Sequence, residues 1–449
     1  MSKKVAVIGG GISGLSAAYR LMKDGVDVVL FEKNERAGGA IRTGKEGGYL
    51  FEYGPNSTMN SNDEIDSLCK ELGLEDERIF GSEYSKKRYV GRGGRLVALP
   101  IGPIDFLRTG LWSIWGKLRL FKEPFVGLNK GGNESVADFV SRRIGREMLD
   151  YALDPFVSGV YAGDPSRLEL KSTFPKMADL EREHGSLIIG ALKKAFSKKN
   201  KSDRKKGIFS FKGGMSALSE AIATSLGDRF KGGSDVKKIS KEGEGYLIEL
   251  AGSDTVDVDE VIITSPSYVI ADMIRDLSSS ASELLAAIEY APIAIVYLGF
   301  KREDVSHPLD GFGCLIAGKE KKKLLGSLWS SSLFPGRAPE GMVSLTCFTG
   351  GARNRDMMDR SDDEILADVV NDLNGYVGIK GKPSFVRLFR HNMAIPQYNM
   401  GHGKRLEKLE AALEEFKGLH LLGNYLKGVS VADCVKNGAE LASKISKNI

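Results

Sequence analysis

The sequence predicts an α/β protein of three parts, in which the first and last segments of the chain share one domain. Three observations predict it. Strands and helices alternate in residues 1–85, 207–270 and 412–449, β-rich runs dominate 271–411, and residues 86–206 are mainly helical. A chain of 449 residues, 42% of them hydrophobic, is long enough for two or three domains with cores of their own.

The N-terminal segment has the pattern of a dinucleotide-binding Rossmann unit. Val5–Ile8 is a short apolar strand, Gly9–Gly14 matches G-x-G-x-x-G, and a helical pattern then continues to Gly25. The first glycine permits the tight turn, the second lets a diphosphate approach the backbone, and the third allows close packing of helix on strand. The predicted diphosphate site at the helix N-terminus comprises Gly9, Gly11, Ile12, Ser13 and Gly14.

An acidic residue follows the second predicted strand at the expected distance. Val26–Phe31 is apolar and β-rich, and Glu32 follows it, about 20 residues after the glycine motif. A carboxylate here accepts hydrogen bonds from the adenosine ribose hydroxyls and repels a ribose phosphate, which disfavours NADP. A plain glycine turn is the alternative for the glycines alone, but it does not account for two strands, a helix and an acid together.

A second diglycine loop indicates which dinucleotide binds. Arg36–Thr43 follows the ribose-binding acid, and Phe51–Ser57 ends in Gly-Pro-Asn-Ser. A nicotinamide dehydrogenase needs no such loop, whereas the arrangement resembles the amine-oxidase-like flavoproteins, in which this loop packs along the FAD. The resemblance implies non-covalently bound FAD, with an ordinary glycine turn as the alternative. The further candidate cofactor residues in this region are Lys33, Gly38, Gly39, Ala40, Arg42, Gly54, Pro55, Asn56 and Ser57.

The composition argues against several other functions. A formal net charge of +5 is too small for a general nucleic-acid binder, and the five histidines form no metal-spaced cluster. The four cysteines are scattered without a CxxC pair, as is typical of reduced thiols in a cytosolic protein, although a covalent flavin link to Cys434 is an alternative. We expect no signal peptide and no membrane span, hence a cytoplasmic protein, at most peripheral on the inner face of the cell membrane.

Several strings resemble the protoporphyrinogen oxidases and the related coproporphyrinogen oxidases of haem synthesis. One is the hairpin-like stretch Lys87–Pro100, with a glycine turn in its middle. The most specific is Asp154–Pro165, because a generic flavoprotein has no physical need for that string. Phe211–Met215, Ser330–Pro335 and Ala394–Tyr398 also match, so the resemblance extends over nearly the whole chain.

This resemblance implies FAD-dependent oxidation of a porphyrinogen to the porphyrin, with O2 as acceptor and hydrogen peroxide as product. It also implies the amine-oxidase-like fold, with a mixed-sheet substrate domain over the flavin and a helical domain facing substrate and membrane. Protoporphyrinogen is slightly favoured as the substrate. Coproporphyrinogen is the alternative, since it carries more propionates than protoporphyrinogen and Arg92 and Arg95 could bind them. The flavin carries the chemistry without a catalytic side chain, and a neighbouring haem-pathway enzyme is a candidate partner.

The family's substrate and adenine contacts carry over to single positions. Arg88 matches a carboxylate-binding arginine whose guanidinium would hold a propionate, with a solvated hairpin arginine as the alternative. Gly159 matches a glycine that approaches the macrocycle through its backbone, although a helix C-cap explains it equally well. Leu325, Leu328 and Leu345 are candidates for the substrate wall or, alternatively, for the core. Val236 would reach the adenine through its backbone.

The end of the chain resembles the family's closing FAD motif, a strand, a glycine-bearing loop and a helix. A helix N-terminus aimed at the isoalloxazine carbonyl end would stabilise the negative charge of reduced flavin. The candidate cofactor residues in this motif are Gly423, Asn424, Gly428, Val429, Ser430 and Val431.

The helical part mixes apolar bulk with basic residues. Residues 106–122 alternate aromatic and aliphatic side chains with arginine and lysine. Such a helix lies in a membrane interface or, alternatively, packs on its own domain with a solvated basic face. The lysine-rich run 193–206 is either a solvated loop or a contact for anionic lipid.

Two other functions remain open from the sequence. The first is another amine-oxidase-like enzyme, such as a polyamine oxidase or a carotenoid desaturase. A cationic amine would favour an acidic or aromatic cage, which the assignment of Arg88 opposes. The second is a flavin-binding scaffold or regulatory protein without turnover.

Overall fold

The structure is a computed structural model that describes residues 3–129, 131–196 and 205–448. The lysine-rich run 193–206 therefore lies partly outside the described residues.

The first ten strands are β1 (Lys4–Ile8), β2 (Asp27–Phe31), β3 (Thr43–Glu46), β4 (Tyr49–Glu52), β5 (Thr58–Met59), β6 (Arg78–Phe80), β7 (Tyr89–Arg92), β8 (Arg95–Ala98), β9 (Ile208–Phe211) and β10 (Phe230–Lys231). The others are β11 (Val236–Glu242), β12 (Gly245–Leu250), β13 (Thr255–Val258), β14 (Glu260–Ile263), β15 (Tyr290–Lys301), β16 (Gly313–Ile316), β17 (Leu324–Leu328), β18 (Met342–Gly350), β19 (Phe385–Pro396) and β20 (Leu419–Leu421).

The first ten helices are α1 (Ile12–Lys23), α2 (Asp63–Glu71), α3 (Pro103–Arg108), α4 (Ile114–Phe121), α5 (Val136–Arg143), α6 (Arg146–Met148), α7 (Asp154–Tyr161), α8 (Leu170–Thr173), α9 (Pro175–His184) and α10 (Leu187–Phe196). The others are α11 (Ser216–Leu226), α12 (Ser267–Met273), α13 (Ser279–Ala286), α14 (Ser330–Leu333), α15 (Asp362–Val377), α16 (His402–Leu413) and α17 (Val431–Ser446).

A parallel sheet carries the predicted cofactor unit. Its strand order is β10-β2-β1-β14-β20, and β1 lies between β2 on one side and β14 on the other. The order therefore reverses at β1, whose carboxyl end is where ligands bind in open α/β sheets. The helices α1, α11 and α17 share an apolar core on one face of this sheet. The Ser16 hydroxyl of α1 donates to the Val435 carbonyl of α17 at 2.9 Å, so the two ends of the chain meet.

A second, mixed sheet has the order β19-β15-β18-β17-β16-β7-β8. Only β7 and β16 pair in parallel; the other neighbours are antiparallel. The helix α15 covers one face and closes a core there. The hairpin of residues 89–98 is part of this sheet, although the sequence placed it with the helical part at 86–206. The hairpin belongs to the sheet because β7 pairs with β16, more than two hundred residues away in the sequence. Local sequence pattern does not reveal such a distant pairing.

The helices α3 to α10 form the third part, whose outer surface is unusually apolar. No residue of α3 or α4 is buried, and most exposed large apolar side chains of the described chain lie between residues 101 and 196. Within this part the ion pair of Glu123 and Arg143 is fully buried. Across the described ranges, no helix has both the length and the apolar character needed to cross a bilayer.

Candidate functional site

The first glycine loop is closely packed except at one position. Gly9 has φ +106°, and its N–H donates to the Phe31 carbonyl at 2.8 Å. A Cβ on Gly14 would lie 2.1 Å from the Gly9 carbonyl oxygen, so only glycine lets the helix approach the loop. A Cβ on Gly11 would meet no atom within 4 Å. The open side of the loop is therefore at Gly11, where a diphosphate would approach.

The first turn of α1 offers backbone donors to the same space. Gly11 is the N-cap and has no side chain with which to cap the helix. The first intrahelical hydrogen bond runs from the Leu15 N–H to the Gly11 carbonyl at 2.9 Å. The amides of Ile12, Ser13 and Gly14 precede it and lie at the positive end of the helix dipole. An anionic diphosphate suits this set of donors.

Thr264 supports the glycine loop, a role that the sequence did not suggest. Its hydroxyl lies 3.0 Å from the Ile8 carbonyl oxygen and 2.9 Å from that of Gly9, and it would collide with a Cβ on Gly14. Thr264 follows β14, the strand next to β1. The only sequence signal is a hydroxyl residue at the end of an apolar strand.

Glu32 is buried and held rigidly at the end of β2. Its Oε2 accepts from the Gly10 N–H at 2.6 Å, and its Oε1 accepts from the Asn34 N–H at 3.0 Å. The Asn34 side-chain amide also donates to Oε1, at 2.5 Å. A carboxylate has about four acceptor sites, so about one remains for a ribose hydroxyl. The Ser234 N–H donates to the Glu32 carbonyl at 2.8 Å, which brings the buried Val236 close to this acid. Lys33 next to Glu32 is exposed.

The second glycine loop touches the first. The Gly38 N–H donates to the Gly10 carbonyl at 2.7 Å, and a Cβ on Gly39 would lie 3.1 Å from the Cα of Gly11. Both glycines have positive φ, which other residues adopt only with strain, and a side chain at Gly39 would press on Gly11 of the first loop. The loops therefore form one continuous wall around the open side of Gly11.

The loop of residues 54–57 continues that wall. A Cβ on Gly54 would lie 2.2 Å from the Ala40 carbonyl oxygen, so this loop packs directly on the second glycine loop. The exposed Arg42 stacks over the Tyr53 ring at 4.0 Å. Pro55, Asn56 and Ser57 are half-buried, and Asn56 donates its amide to the Gly54 carbonyl at 3.2 Å.

The closing motif at the C-terminus meets the first glycine loop. Ser430 caps α17, accepting from the Asp433 N–H at 3.1 Å, and Gly428 has φ +71°. Burial raises the pKa of the Cys434 thiol to about 11, and a hydrogen bond with Ser13 partly offsets this rise. Contact between Ser13 and Cys434 places the first turns of α1 and α17 together. A protonated thiol is a poor nucleophile, which disfavours a covalent flavin link.

Tyr398 fixes the start of the same motif. Its hydroxyl donates to the Asn424 carbonyl, and the Leu422 N–H donates to the Ile263 carbonyl at 3.0 Å. Gly423 lies between these two anchors, and Val429 follows half-buried. The donor amides, the fixed carboxylate and the open side of Gly11 together fit FAD. Within the ranges 3–129, 131–196 and 205–448, no three His, Cys, Asp or Glu side chains form a potential metal site.

Arg88 has a guanidinium that is available to bind an anion. Its side chain is exposed and lies 5.1 Å from the centroid of the Phe312 ring, with no ion pair among the described residues. Its neighbour Lys87 instead binds Asp310 at 2.5 Å, and Arg92 donates to the carbonyls of residues 110 and 111.

Gly159 lies within α7 and not at its end. The C-cap is Ala162, with φ 47°, so the interpretation of Gly159 as a C-cap is wrong. A Cβ on Gly159 would lie 2.5 Å from the Cδ2 of Leu315 on β16. The glycine thus allows close approach of α7 to the mixed sheet.

Two of the three predicted wall leucines lie on opposite faces of the mixed sheet. Leu345 is fully buried in the core beneath α15, so it is removed from the candidate substrate wall. Leu325 faces the other way and packs with Ala162 and Ile293, also buried. Alternating strand residues point to opposite faces, and sequence alone does not say which face α15 covers.

Three apolar side chains are partly exposed on the face opposite α15, and one of them, Leu328, is the third predicted wall leucine. Leu315, Leu328 and Phe348 are half-exposed, although their strands β16, β17 and β18 are otherwise largely buried. Pairing places Leu315, Gly326 and Phe348 in one row across these strands. A bulge between Leu324 and Gly326 shifts the register, so alternation along β17 does not predict this row.

Comparisons with known proteins agree with this geometry. Residues 12–446 match the family described as flavin containing amine oxidoreductase. Mitochondrial protoporphyrinogen oxidase of Nicotiana tabacum is 34% identical, over 99% of this chain and 95% of that protein. Coproporphyrinogen III oxidase of Bacillus subtilis is 32% identical, over 98% and 97%. A solved Exiguobacterium structure, provisionally named protoporphyrinogen oxidase, superposes over 100% of both chains with a TM-score of 0.84 and 22% identity.

Proposed function

The chain belongs to the flavin-containing amine oxidoreductase family, and from this premise we propose that it oxidises protoporphyrinogen to protoporphyrin in haem biosynthesis. It is an oxidoreductase and its cofactor is FAD. When bound, FAD supplies the acceptor for a hydride from the substrate. We propose O2 as the final acceptor and hydrogen peroxide as the product. Relatives named protoporphyrinogen oxidase and coproporphyrinogen III oxidase align over nearly their full length, which supports a porphyrinogen substrate.

The unpaired Arg88 beside apolar surface is the observation that carries the proposal. A porphyrinogen is an apolar macrocycle with carboxylates at its rim. Arg88 offers a guanidinium for a carboxylate, and Phe312 offers an aromatic face next to it. The row of Leu315 and Phe348 would contact the macrocycle. A cationic amine would be repelled by Arg88, which disfavours the polyamine oxidase alternative.

Substitution of Arg88 tests this role. Arg88→Ala should raise KM for the porphyrinogen several-fold and leave the purified protein yellow, since the arginine binds substrate and not flavin. Arg229→Ala is the control, because Arg229 is also an exposed arginine but lies in the cofactor unit, away from this hairpin. Unchanged KM and turnover in Arg88→Ala would refute the propionate contact.

The choice of substrate needs its own experiment. Protoporphyrinogen and coproporphyrinogen are offered separately to the FAD-bound protein, with and without O2, and porphyrin fluorescence is followed. Faster oxidation of coproporphyrinogen would replace our choice with the alternative. Oxidation of neither would refute the proposed function, and turnover without O2 would refute O2 as the acceptor.

We propose further that the helical part rests on an anionic membrane surface. Trp115 and Phe125 are 81% and 89% exposed, far more than soluble surfaces usually leave such side chains. The exposed cations Arg108 and Lys122 lie in the same segment. Apolar side chains that enter the interface together with basic ones that meet anionic headgroups are typical of peripheral attachment.

Vesicle sedimentation tests the membrane contact. The double variant Trp115→Ser and Phe125→Ser should bind vesicles containing phosphatidylserine at least several-fold more weakly than the unchanged chain. Met400→Ser is the control, since Met400 is also exposed but lies outside the helical part. Equal binding by both variants would refute this surface as the contact.

A further inference from the structure

A narrow cavity lies between the predicted cofactor loop and the mixed sheet. Leu50, Glu52 and Asn56 line it from the side of the cofactor unit. From the sheet side it is lined by Leu328, Ser330, Leu333, Phe334 and Arg337. About 10 Å³ is open to the centre of a water-sized sphere, which is room for a single water molecule. The cavity is therefore bordered both by Asn56 of the predicted cofactor loop and by Leu328 of the proposed substrate face.

Glu52 reaches this cavity with acceptor capacity to spare. The side chain is 2% exposed; its Oε1 accepts from the Met215 N–H at 2.9 Å, and its Oε2 accepts from the Thr43 hydroxyl at 2.7 Å. Each oxygen retains a further lone pair. Burial raises the pKa of Glu52 to about 7, against the opposing effects of these two bonds and of Arg337. The carboxyl group can therefore gain and lose a proton near neutral pH.

Arg337 faces the cavity with an unused donor. The residue is 3% exposed, and its Nη2 donates to the Ser210 hydroxyl at 2.6 Å and to the Phe211 carbonyl at 3.2 Å. Its Nη1 has no hydrogen-bond partner among the described residues, and no direct ion pair to Glu52 forms there. A water molecule in the cavity would accept from Nη1 and donate to the Glu52 carboxylate.

The other groups around Glu52 and Arg337 are uncharged near neutral pH. The hydroxyl of Tyr297 on β15 lies within hydrogen-bond distance of the Leu50 and Arg337 carbonyl oxygens, and burial raises its pKa above the ordinary value. Ser330 on α14 bonds Thr346 on β18 through their hydroxyls at 2.8 Å. The charge at the cavity is thus set by Glu52 and Arg337.

We propose that Glu52, held beside Arg337 at this cavity, is the proton acceptor for porphyrinogen oxidation; this inference rests on the proposed function. In each round the substrate loses a hydride from a bridging carbon to the bound flavin and a proton from a pyrrole nitrogen. Glu52 takes up that proton through the cavity. One hydride, one proton and one molecule of O2 together give one molecule of hydrogen peroxide, so the step balances. Glu52 acts through the cavity and is a proton-relay residue, without contact to the substrate.

Glu52→Gln is the decisive variant, because glutamine keeps an acceptor for the Met215 N–H and cannot take the proton. The kcat for porphyrin formation should fall at least tenfold with KM little changed, and the kinetic pKa near 7 should disappear. Infrared difference spectra between pH 6 and pH 8 give a second readout that does not depend on turnover. The unchanged chain should show the C=O band of a buried protonated carboxyl group that disappears as the pH rises through about 7, and Glu52→Gln should lack this band.

Glu123→Gln is the matched control, since Glu123 is an equally buried carboxylate next to an arginine, in the helical part. It should keep the pH profile and the titrating carboxyl band of the unchanged chain. Arg337→Met provides an independent measurement if Glu52→Gln does not fold. Loss of the cation should move the kinetic pKa upward, because Arg337 lowers the pKa of Glu52.

The outcomes separate the two proposals. A Glu52→Gln protein with normal kcat, pH profile and carboxyl band would overturn the relay while leaving porphyrinogen oxidation in place. An Arg337→Met protein with an unshifted profile would also overturn it. If the unchanged chain oxidises no porphyrinogen, the proposed function fails and the relay fails with it.

Discussion

Two buried carboxylate–guanidinium pairs in this chain have different surroundings. Arg143 contacts Glu123 at 3.2 Å and also donates to Glu181, at 2.8 Å from its Nε, and to the Gly185 carbonyl at 2.7 Å. Glu123 accepts from the Leu187 N–H at 2.9 Å as well, so it closes the N-terminal end of α10. Arg337 and Glu52 instead face a cavity without direct contact, and one guanidinium nitrogen lacks a described partner.

This difference is the basis on which we propose a structural role for the first pair and proton transfer for the second. A buried pair whose two groups are fully hydrogen-bonded stabilises the fold only while both residues are present. If one is replaced, the charge of the other is buried without compensation. An unsaturated pair leaves a donor and an acceptor free for a small molecule or a proton, and such exceptions in a native structure need an explanation. The helical part uses its pair to hold short helices whose apolar side chains point outward. The cavity pair lies where the cofactor loop meets the substrate face.

The largest expected effect is the loss of Arg143. Arg143→Met leaves Glu123 buried without its cation and should lower the free energy of unfolding by about 3–5 kcal/mol. Arg337→Met should cost no more than about 2 kcal/mol, because Glu52 can become neutral by taking up a proton. Urea unfolding of the FAD-bound variants at pH 6 compares the two. Equal costs would break the distinction between the pairs.

The second effect is on the pH dependence of stability. Burial raises the pKa of Glu52 from 4.5 to about 7, so the folded chain holds this proton more tightly than the unfolded chain. The stabilisation is complete below about pH 4.5 and is lost as the pH rises through about 7. This rise in the pKa of Glu52 corresponds to a loss of about 3 kcal/mol in the free energy of unfolding at high pH. Glu52→Gln should remove this loss.

Urea unfolding of the unchanged chain and of Glu52→Gln at pH 5 and at pH 8 measures this effect. The difference between the two proteins at each pH cancels the contribution of every other titrating group. Relative to the unchanged chain, the variant should gain stability from pH 5 to pH 8. A difference that does not vary with pH would show that Glu52 keeps an ordinary pKa.

Local sequence pattern was sufficient for the fold class and for the organisation of the cofactor unit. The α/β class and the amine-oxidase-like fold are confirmed by the family match and by the structural superposition. The spacing of Gly9, Gly11 and Gly14 has consequences within a single turn of chain, so a motif can encode it. Glu32 likewise follows from its distance along the chain. The individual contacts of these residues with FAD stay predictions.

Residues whose role depends on distant partners were not predictable in the same way. Leu345 was expected at the substrate wall, but α15 covers its face of the sheet. The half-exposed row that includes Leu315 and Phe348 depends on strand pairing and on a bulge. Glu52 and Arg337 are 285 positions apart, and neither lies in a charge pattern that indicates a buried partner. Register and docking of units decide such positions, and neither is a local property.

The smallest effects are expected from replacing the one serine whose hydroxyl contacts each pair. Ser186→Ala removes a donor from Glu123, and Ser210→Ala removes an acceptor from Arg337, each at a cost of about 1 kcal/mol in the free energy of unfolding. Their kinetic effects should differ. Without Ser210 the guanidinium is less firmly oriented toward the cavity and lowers the pKa of Glu52 less, so the kinetic pKa for porphyrin formation should rise. Ser186→Ala should leave that pKa unchanged, since its partner has no part in proton transfer. Equal pH profiles for both variants, with equal stability losses, would mean that the orientation of Arg337 has no influence on the proton and that the two pairs differ only in packing.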